Sequence, residues 1–333
     1  GLLQLGYPEE FGGISEGIDQ HYLNIVSEEL GRIGSAGGIA STLLVHGIGL
    51  PPVVNFSTQA IKEEVVPAVL AGEKRISLGI TEPSGGSDVA NLTTTARREG
   101  DFYIVNGSKT FISGGMGADW ISTAVRTGGE GGGGISMLLI PTHLGGVSRT
   151  PLDKKQGWWC SDTATIYFDD VKVPVDHLIG EEGQGFLVIL NNFNNERLAM
   201  IVNMEACARC CLAEAVSWAE QRKTFGKPLS KHQVIRHKIT QMKQRINATQ
   251  AYTQHVTQAV IEGRSNFGDL ALLKVQASET MEFCAREASQ ILGGASYLRG
   301  NKVERIYREV RVNAIGGGSE EIMRDLAAGQ YGL

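Results

Sequence analysis

Apolar residues follow three different rhythms along the chain. Over residues 18–33 they recur at Tyr22, Ile25, Val26 and Leu30, close to the 3.6-residue period of a helix. Residues 35–50 are rich in small side chains and read as helix or loop. Residues 59–70 read as another helix, whose pattern Pro67 interrupts. From residue 76 the runs become short and β-rich, at 76–80, 92–96, 102–105, 109–112, 120–125, 135–140 and 163–168. Turn signals part them at Glu99-Gly100-Asp101, Asn106-Gly107, Gly114-Gly115 and a glycine loop over 128–134. Regular short strands of this kind predict a sandwich or barrel. Asn106-Gly107 between two β runs predicts a hairpin turn. From residue 181 the helical period returns. One long segment runs from Gly183-Gln184-Gly185 to about residue 221, with Leu190, Phe193, Arg197, Ile201 and Met204 on one stripe. A second covers 232–262, with Ile235, Ile239, Met242 and Ile246 on its stripe, and a third covers 270–292. Two shorter helices cover 302–312 and 320–328.

Long helices with short connections predict a four-helix-bundle-like domain. The fold class is therefore α+β and multidomain. A helical N-terminal domain covers 1–75, a middle β-barrel or sandwich domain 76–180, and a C-terminal helical bundle 181–333. No Gly-x-Gly-x-x-Gly both follows a strand and opens a helix, so a dinucleotide fold of the Rossmann type has little support. The first residue is Gly1, so the chain is expected to begin inside a longer protein, with any targeting segment upstream.

Charge removes some function classes. Thirty-one basic against 36 acidic residues leave a net charge of −5, which argues against a dedicated nucleic-acid binder. No apolar run approaches the ~20 residues that span a bilayer. Glycine is the outlier, at 43 of 333 residues and clustered. Such clusters make tight turns or let backbone approach a ligand. The five cysteines, Cys160, Cys207, Cys210, Cys211 and Cys284, have no disulfide spacing, which fits a reducing compartment. Cys207, Cys210 and Cys211 lie within a helical pattern with no second metal half-site, so they are expected to be core residues and no metal is expected.

Five places carry candidate chemistry. Residues 80–88, Ile-Thr-Glu-Pro-Ser-Gly-Gly-Ser-Asp, end a β run with hydroxyls and open amides suited to a polar ring or a phosphate, or form an elaborate turn. Residues 109–115, Lys-Thr-Phe-Ile-Ser-Gly-Gly, put an aromatic and a hydroxyl at a strand end, where Phe111 flanks a ring system or fills a sheet core. In Arg222-Lys-Thr-Phe-Gly226, Arg222 and Thr224 can bind phosphate or form a capped helix end. Gln290-Ile-Leu-Gly-Gly294 is a helix cap or a contact for a diphosphate. Asn195-Glu196-Arg197 sets two charges among Phe193, Leu198, Met200 and Ile201. Burial there would raise the Glu196 pKa, as a general base near neutral pH requires; the alternative is a surface glutamate with a helical partner.

In this order, the five features resemble the acyl-CoA dehydrogenase family over essentially the whole chain. The most specific stretches are 81–88, 221–226, 290–294 and 316–324, the last reading Gly-Gly-Gly-Ser-Glu-Glu-Ile-Met-Arg. The resemblance implies FAD, extended between the last two domains and a neighbouring subunit. It assigns Leu78, Ile80 and Thr81 to one side of the isoalloxazine and Phe111 and Ser113 to the other. Arg222, Thr224 and Phe225 would reach the adenine and diphosphate of FAD in the next subunit. Gln290, Gly293 and Gly294 would do similar work, Ser319 would contact FAD, and Ser87 would lie near the acyl-CoA, with Phe193 and Arg197 also on the substrate.

The family's reaction takes the α-proton to a carboxylate and the β-hydride to flavin N5, giving a trans-2-enoyl-CoA. The thioester carbonyl is polarised by donors, one of them matching the Gly317 amide. Many members carry the base as a glutamate at the position of Gly317, and glycine cannot take a proton. Members similar to the long-chain and isovaleryl enzymes carry it on a bundle helix before an arginine, which is where Glu196-Arg197 falls. The resemblance thus makes Glu196 the base, with Arg197 orienting or balancing it, and leaves Glu320 and Glu321 beyond the base position. It also implies long, branched or terpenoid acyl chains such as citronellyl-CoA, electron-transferring flavoprotein as acceptor, a homo-oligomer, commonly a tetramer, and location in a bacterial cytoplasm or a mitochondrial matrix. Related alternatives are an acyl-CoA oxidase, a nitroalkane oxidase, which generally uses aspartate as base, and an inactive acyl-CoA-binding member.

Overall fold

The computed structural model describes residues 1–333, apart from the side chains of residues 193–195. Four helices come first: α1 (Gln20–Arg32), α2 (Gly38–Leu43), α3 (His46–Phe56) and α4 (Gln59–Leu70). Eight strands follow: β1 (Ile76–Gly79), β2 (Thr95–Glu99), β3 (Phe102–Ser113), β4 (Trp120–Arg126), β5 (Ile135–Pro141), β6 (Val147–Pro151), β7 (Thr163–Pro174) and β8 (Leu178–Ile179). Then come α5 (Gly185–Gln221), the short strands β9 (Lys223–Thr224) and β10 (Lys227–Pro228), α6 (Gln233–Ile261), α7 (Phe267–Leu292), α8 (Lys302–Ile315) and α9 (Glu320–Gln330). No helix among the described residues is long and apolar enough to cross a membrane.

The chain divides into two compact units. The first comprises Gly1–Ile18, Ser41–Lys155 and Trp159–Phe193; the second comprises Asp19–Ala40, Gln156–Trp158 and Asn194–Leu333. In the first, the sheet runs β6-β7-β3-β2-β4-β5-β8, with β1 parallel to β4. Its centre is buried on both faces, and side chains alternate between two cores as a pleated strand requires. From β4 and β5, Trp120, Ala124, Met137 and Leu139 join Leu50, Val53, Val65 and Val69 of α3 and α4. Ile121, Val125, Leu138 and Ile140 face the opposite core with Tyr103, Ile166 and Val171.

Two local expectations change, and one strand is added to them. Asn106-Gly107 is no hairpin turn: β3 runs straight through it, with a bulge between Val105 and Gly107. Asn106 is held across the sheet, donating from Nδ2 to Asp170 Oδ1 at 2.9 Å and accepting from the Asp170 amide at 2.9 Å. Gly107 is required there by packing, since a Cβ would lie 2.7 Å from Thr94. The chain instead reverses at Glu99-Gly100-Asp101, between β2 and β3. Pro67 does not break α4, and Pro51 and Pro52 lie inside α3. Burial of Val65, Val66, Val69 and Leu70 on α4 outweighs the lost hydrogen bond. β6, too polar to be read from the sequence, is an edge strand on β7.

In the second unit, α5, α6, α7 and α8 share one core around Ile201, Met204, Met242, Leu273, Met281 and Ile306. Cys207, Cys210, Cys211 and Cys284 are free thiols in that core, their pKa values raised chiefly by burial. Ile201 and Met204 are buried as their stripe predicts, whereas Leu190 is exposed. Helix α1 is sewn to this unit by polar contacts: Asn24 donates to Thr257 Oγ1 at 3.2 Å, and Asn203 donates to the carbonyls of Ser27 and Ser35 at 3.1 Å. Side-chain caps start the helices at Asp19, Asn266, Asn301 and Ser319.

Candidate active site

Glu196 and Arg197 sit in the long helix α5, so their backbone groups are already paired and only the side chains are available for chemistry. Arg197 is 6% exposed and donates from Nε to the Gly317 carbonyl at 3.0 Å. Glu196 is partly buried. Desolvation raises its pKa to about 7, against the opposing charges of Arg197 and Lys274. A carboxyl of this kind exchanges a proton near neutrality.

The loop between α8 and α9 is built for close approach. Gly317 and Gly318 have φ of +67° and +103°, a region that favours glycine. A Cβ on Gly317 would lie 3.0 Å from Met200 Sδ of α5, and one on Gly318 would lie 2.4 Å from Met323 Cε. Ser319 caps α9 by accepting from the Ile322 amide. Glu320 accepts from Ser278 Oγ at 2.7 Å. Glu321 is exposed, and its pKa is lowered by hydrogen bonds from its own backbone and Ser319. Glu196 and Glu321 are thus driven in opposite directions, the first toward neutrality and the second away from it. A residue the sequence reading missed completes this cluster: Lys274 of α7, fully buried, donates from Nζ to the Gly318 carbonyl at 2.6 Å. Its only sequence signal is one cation in the apolar run 270–275.

The first unit holds the other predicted group. The Thr110 amide donates to the Thr81 carbonyl at 2.8 Å, and Lys109 Nζ donates to the Ile80 carbonyl at 3.1 Å. The end of β1 is thus tied to β3 beside Phe111. Ser77 Oγ, on β1, also donates to the Ser113 carbonyl at 2.9 Å. Leu78 and Thr81 are half-buried, Ile80 is buried and Ser87 is exposed. Behind them lies a buried ion pair, Lys109 Nζ to Glu82 Oε1 at 2.7 Å. Glu82 also accepts from the amides of Thr93 and Thr94 at 2.7 and 2.9 Å, and from Thr93 Oγ1 at 2.6 Å. Burial pushes the Glu82 pKa up, but the Lys109 charge and these donors overcome it and hold it at about 2. Glu82 lay within a motif the sequence singled out, yet its role as this hub was not legible.

Two phenylalanines carry backbone strain. Phe111 has φ of +60° at a bulge in β3 and is 68% exposed. Phe225 has φ of +50°, Gly226 has +77°, and Phe225 is 97% exposed. Thr224 pairs with Lys227 across them, so Phe225-Gly226 forms a two-residue loop with both positions left-handed. Bulky residues rarely adopt this conformation. Arg222 is exposed at the same hairpin, and His232 Nε2 lies 3.3 Å from Thr224 Oγ1. Twenty-five residues separate Arg222 from Arg197, mostly along α5, a rise of about 37 Å; one compact pocket does not hold both. At the end of α7, Gln290, Gly293 and Gly294 are exposed, and a Cβ on either glycine would meet no atom within 4 Å. The predicted substrate contact Phe193 lies outside the described residues.

Comparison with known proteins decides what this set belongs to. Three family models cover the chain in order: the acyl-CoA dehydrogenase N-terminal domain over residues 1–73, the middle domain over 77–171 and the C-terminal domain over 183–331. An acyl-CoA dehydrogenase of Alternaria alternata is 41% identical over 94% of this chain and 74% of its own length. The mouse (Mus musculus) mitochondrial long-chain specific acyl-CoA dehydrogenase is 32% identical over 99% of this chain and 76% of its own. The crystal structure of a probable acyl-CoA dehydrogenase from Mycobacterium abscessus superposes with a TM-score of 0.96 at 44% identity, covering 99% of this chain and 88% of that one.

This chain belongs to the acyl-CoA dehydrogenase family.

The acyl-CoA dehydrogenase is therefore an oxidoreductase that uses FAD to dehydrogenate acyl-CoA thioesters; the family serves fatty acid β-oxidation and is typically tetrameric. The residues present fit FAD. Taken by itself, the first unit offers an exposed ring face at Phe111, and the second an exposed ring at Phe225, a cation at Arg222 and bare backbone at Gly293 and Gly294, the groups a long aromatic diphosphate needs.

Proposed function

We propose that in this acyl-CoA dehydrogenase Glu196 abstracts the α-proton of the acyl thioester. The observation that carries this is a carboxyl desolvated to a pKa of about 7 next to Arg197, which is anchored on the loop holding Gly317. Most carboxylates are too weakly basic to share a proton near pH 7; this one is poised for it. Arg197 orients the pair through its bond to the Gly317 carbonyl, and the Gly317 amide polarises the thioester carbonyl. Bound FAD supplies the hydride acceptor. Leu78, Ile80, Thr81, Phe111 and Ser113 hold its ring end, and Ser319 contacts FAD. Arg222, Thr224 and Phe225 hold the adenine and diphosphate end of a copy bound by the next subunit, with Gln290, Gly293 and Gly294 in a similar role. Ser87 contacts the acyl-CoA. The substrates are long, branched or terpenoid acyl-CoAs, consistent with a glycine at 317 and a base on the bundle helix. Electrons leave to electron-transferring flavoprotein.

The test is anaerobic titration of the flavin-loaded enzyme with saturated acyl-CoAs, from short to long and including isovaleryl- and citronellyl-CoA. Wild type should bleach with the long or branched members. Glu196→Gln should slow bleaching by about 10³-fold, within the range of a lost general base. Bleaching that persists in Glu196→Gln would move the base elsewhere. A wild type that reacts with oxygen or bleaches only with nitroalkanes would make it an oxidase.

A further inference from the structure

The glycine loop is held from two sides by buried cations on different helices. Arg197 of α5 takes the carbonyl of Gly317, and Lys274 of α7 takes the carbonyl of the next residue, Gly318. Both cations are almost completely removed from solvent, at 6% and 0% exposure. Burying a lysine is costly, and here its hydrogen bond goes to a neutral carbonyl. The charges around it come from three other helices: Arg197 on α5, Arg311 on α8, and Glu320 and Glu321 on α9. Around Glu196 the charged neighbours are Arg197 and Lys274. Two glycines at left-handed φ would otherwise leave this loop with more conformational freedom than any other residue pair.

We propose that Lys274 is a positioning residue of the reaction: with Arg197 it clamps the two peptide planes that follow Gly317, holding that residue's amide in register with Glu196, while its charge acts on the Glu196 carboxyl. This rests on Glu196 being the base. In this role the lysine acts through the loop and through the carboxyl. Removing the cation takes away one of the two influences that keep the Glu196 pKa from rising further.

The test uses the flavin-loaded enzyme with Lys274→Met, Lys274→Gln and Lys274→Arg. The first readout is the pH dependence of the rate of flavin reduction by a bleaching acyl-CoA. In Lys274→Met and Lys274→Gln the acid limb should move by about one pH unit toward alkaline pH, and the plateau should fall about tenfold as the loop loosens. Lys274→Arg, which keeps the charge, should hold the limb at its wild-type position. The second readout needs no turnover: the infrared band of the protonated Glu196 carboxyl, defined as the band lost in Glu196→Gln, should titrate at higher pH in the neutral variants. Lys274→Gln retains a donor, so it covers the case in which Lys274→Met does not fold. An acid limb and a carboxyl titration unchanged in the neutral variants would overturn the proposal, as would a limb shifted equally in Lys274→Arg. The two readings fail separately. A Glu196→Gln enzyme that still reduces its flavin sinks the base; an inert Glu196→Gln with an unmoved Lys274→Gln profile sinks the clamp alone.

Discussion

Lys109 in the sheet unit and Lys274 in the helical unit are both fully buried, yet the carboxyls they influence are driven in opposite directions. Glu82 touches Lys109 at 2.7 Å, accepts two amides and a hydroxyl, and is held at about 2. Glu196 feels Lys274 only through space, because Lys274 spends its hydrogen bond on the Gly318 carbonyl, and it rises to about 7. Burial raises both carboxyls; the count of direct donors decides the outcome. A fully paired carboxylate is a structural part. A desolvated one, with cations near but not on it, is a base in waiting.

The largest expected effect separates the two by stability. Lys109→Met leaves Glu82 charged and unpaired in the sheet, and should cost about 3–5 kcal/mol of unfolding free energy, read by denaturant titration. Because Lys109 also holds the Ile80 carbonyl beside Phe111, flavin retention should fall with it. Glu196→Gln should leave the denaturation midpoint unchanged or raise it at neutral pH, since it removes a carboxyl that burial opposes. Equal losses in both variants would erase the distinction.

The pH dependence of stability should also run in opposite senses. Glu82 is lowered from 4.5, so its contribution is present above pH 4.5 and is lost as pH falls toward about 2. Glu196 is raised from 4.5, so the folded state favours its protonated form. The wild type should lose stability relative to Glu196→Gln as pH climbs from 4.5 to about 7, at up to about 1.4 kcal/mol per pH unit, and then level off. Denaturation of wild type, Glu82→Gln and Glu196→Gln at several pH values checks both signs. A wild-type minus Glu196→Gln difference that stays flat across that window would show that the carboxyl is solvated in the folded enzyme.

What the sequence showed and hid follows from the range of the interactions. Glu196-Arg197 stood out because two charges amid Leu198, Met200 and Ile201 break a local apolar rhythm. The helices and most strands were legible because their signal is a short period. Lys274 was hidden: one lysine on a helix reads as a snorkelling surface residue, and its partner, Gly318, is 44 residues away. Asn106-Gly107 misled because a dipeptide that locally favours a hairpin is held extended by Asp170, 64 positions on. The left-handed φ of Phe111 and Phe225 left no trace at all, since neither position is glycine or asparagine.

That strain gives the smallest prediction and extends the contrast to a third place. Phe225 occupies a left-handed position of a two-residue loop where asparagine is the favoured residue, and its ring is almost wholly exposed. A phenylalanine held there costs roughly 1–2 kcal/mol in backbone terms and gains little from burial. Phe225→Asn should therefore raise the stability of the flavin-free protein by about 1 kcal/mol or less, because asparagine tolerates the left-handed region without altering the hairpin. The same change removes the ring face proposed for the adenine end of FAD, so flavin affinity should fall. Calorimetry of the flavin-free protein and fluorescence titration with FAD read the two effects separately. A variant that is more stable and binds FAD more weakly would mean that the strain is retained for the ligand. A variant that is less stable and binds FAD as before would mean that the ring serves the fold, and Phe225 would then join Glu82 among the structural parts.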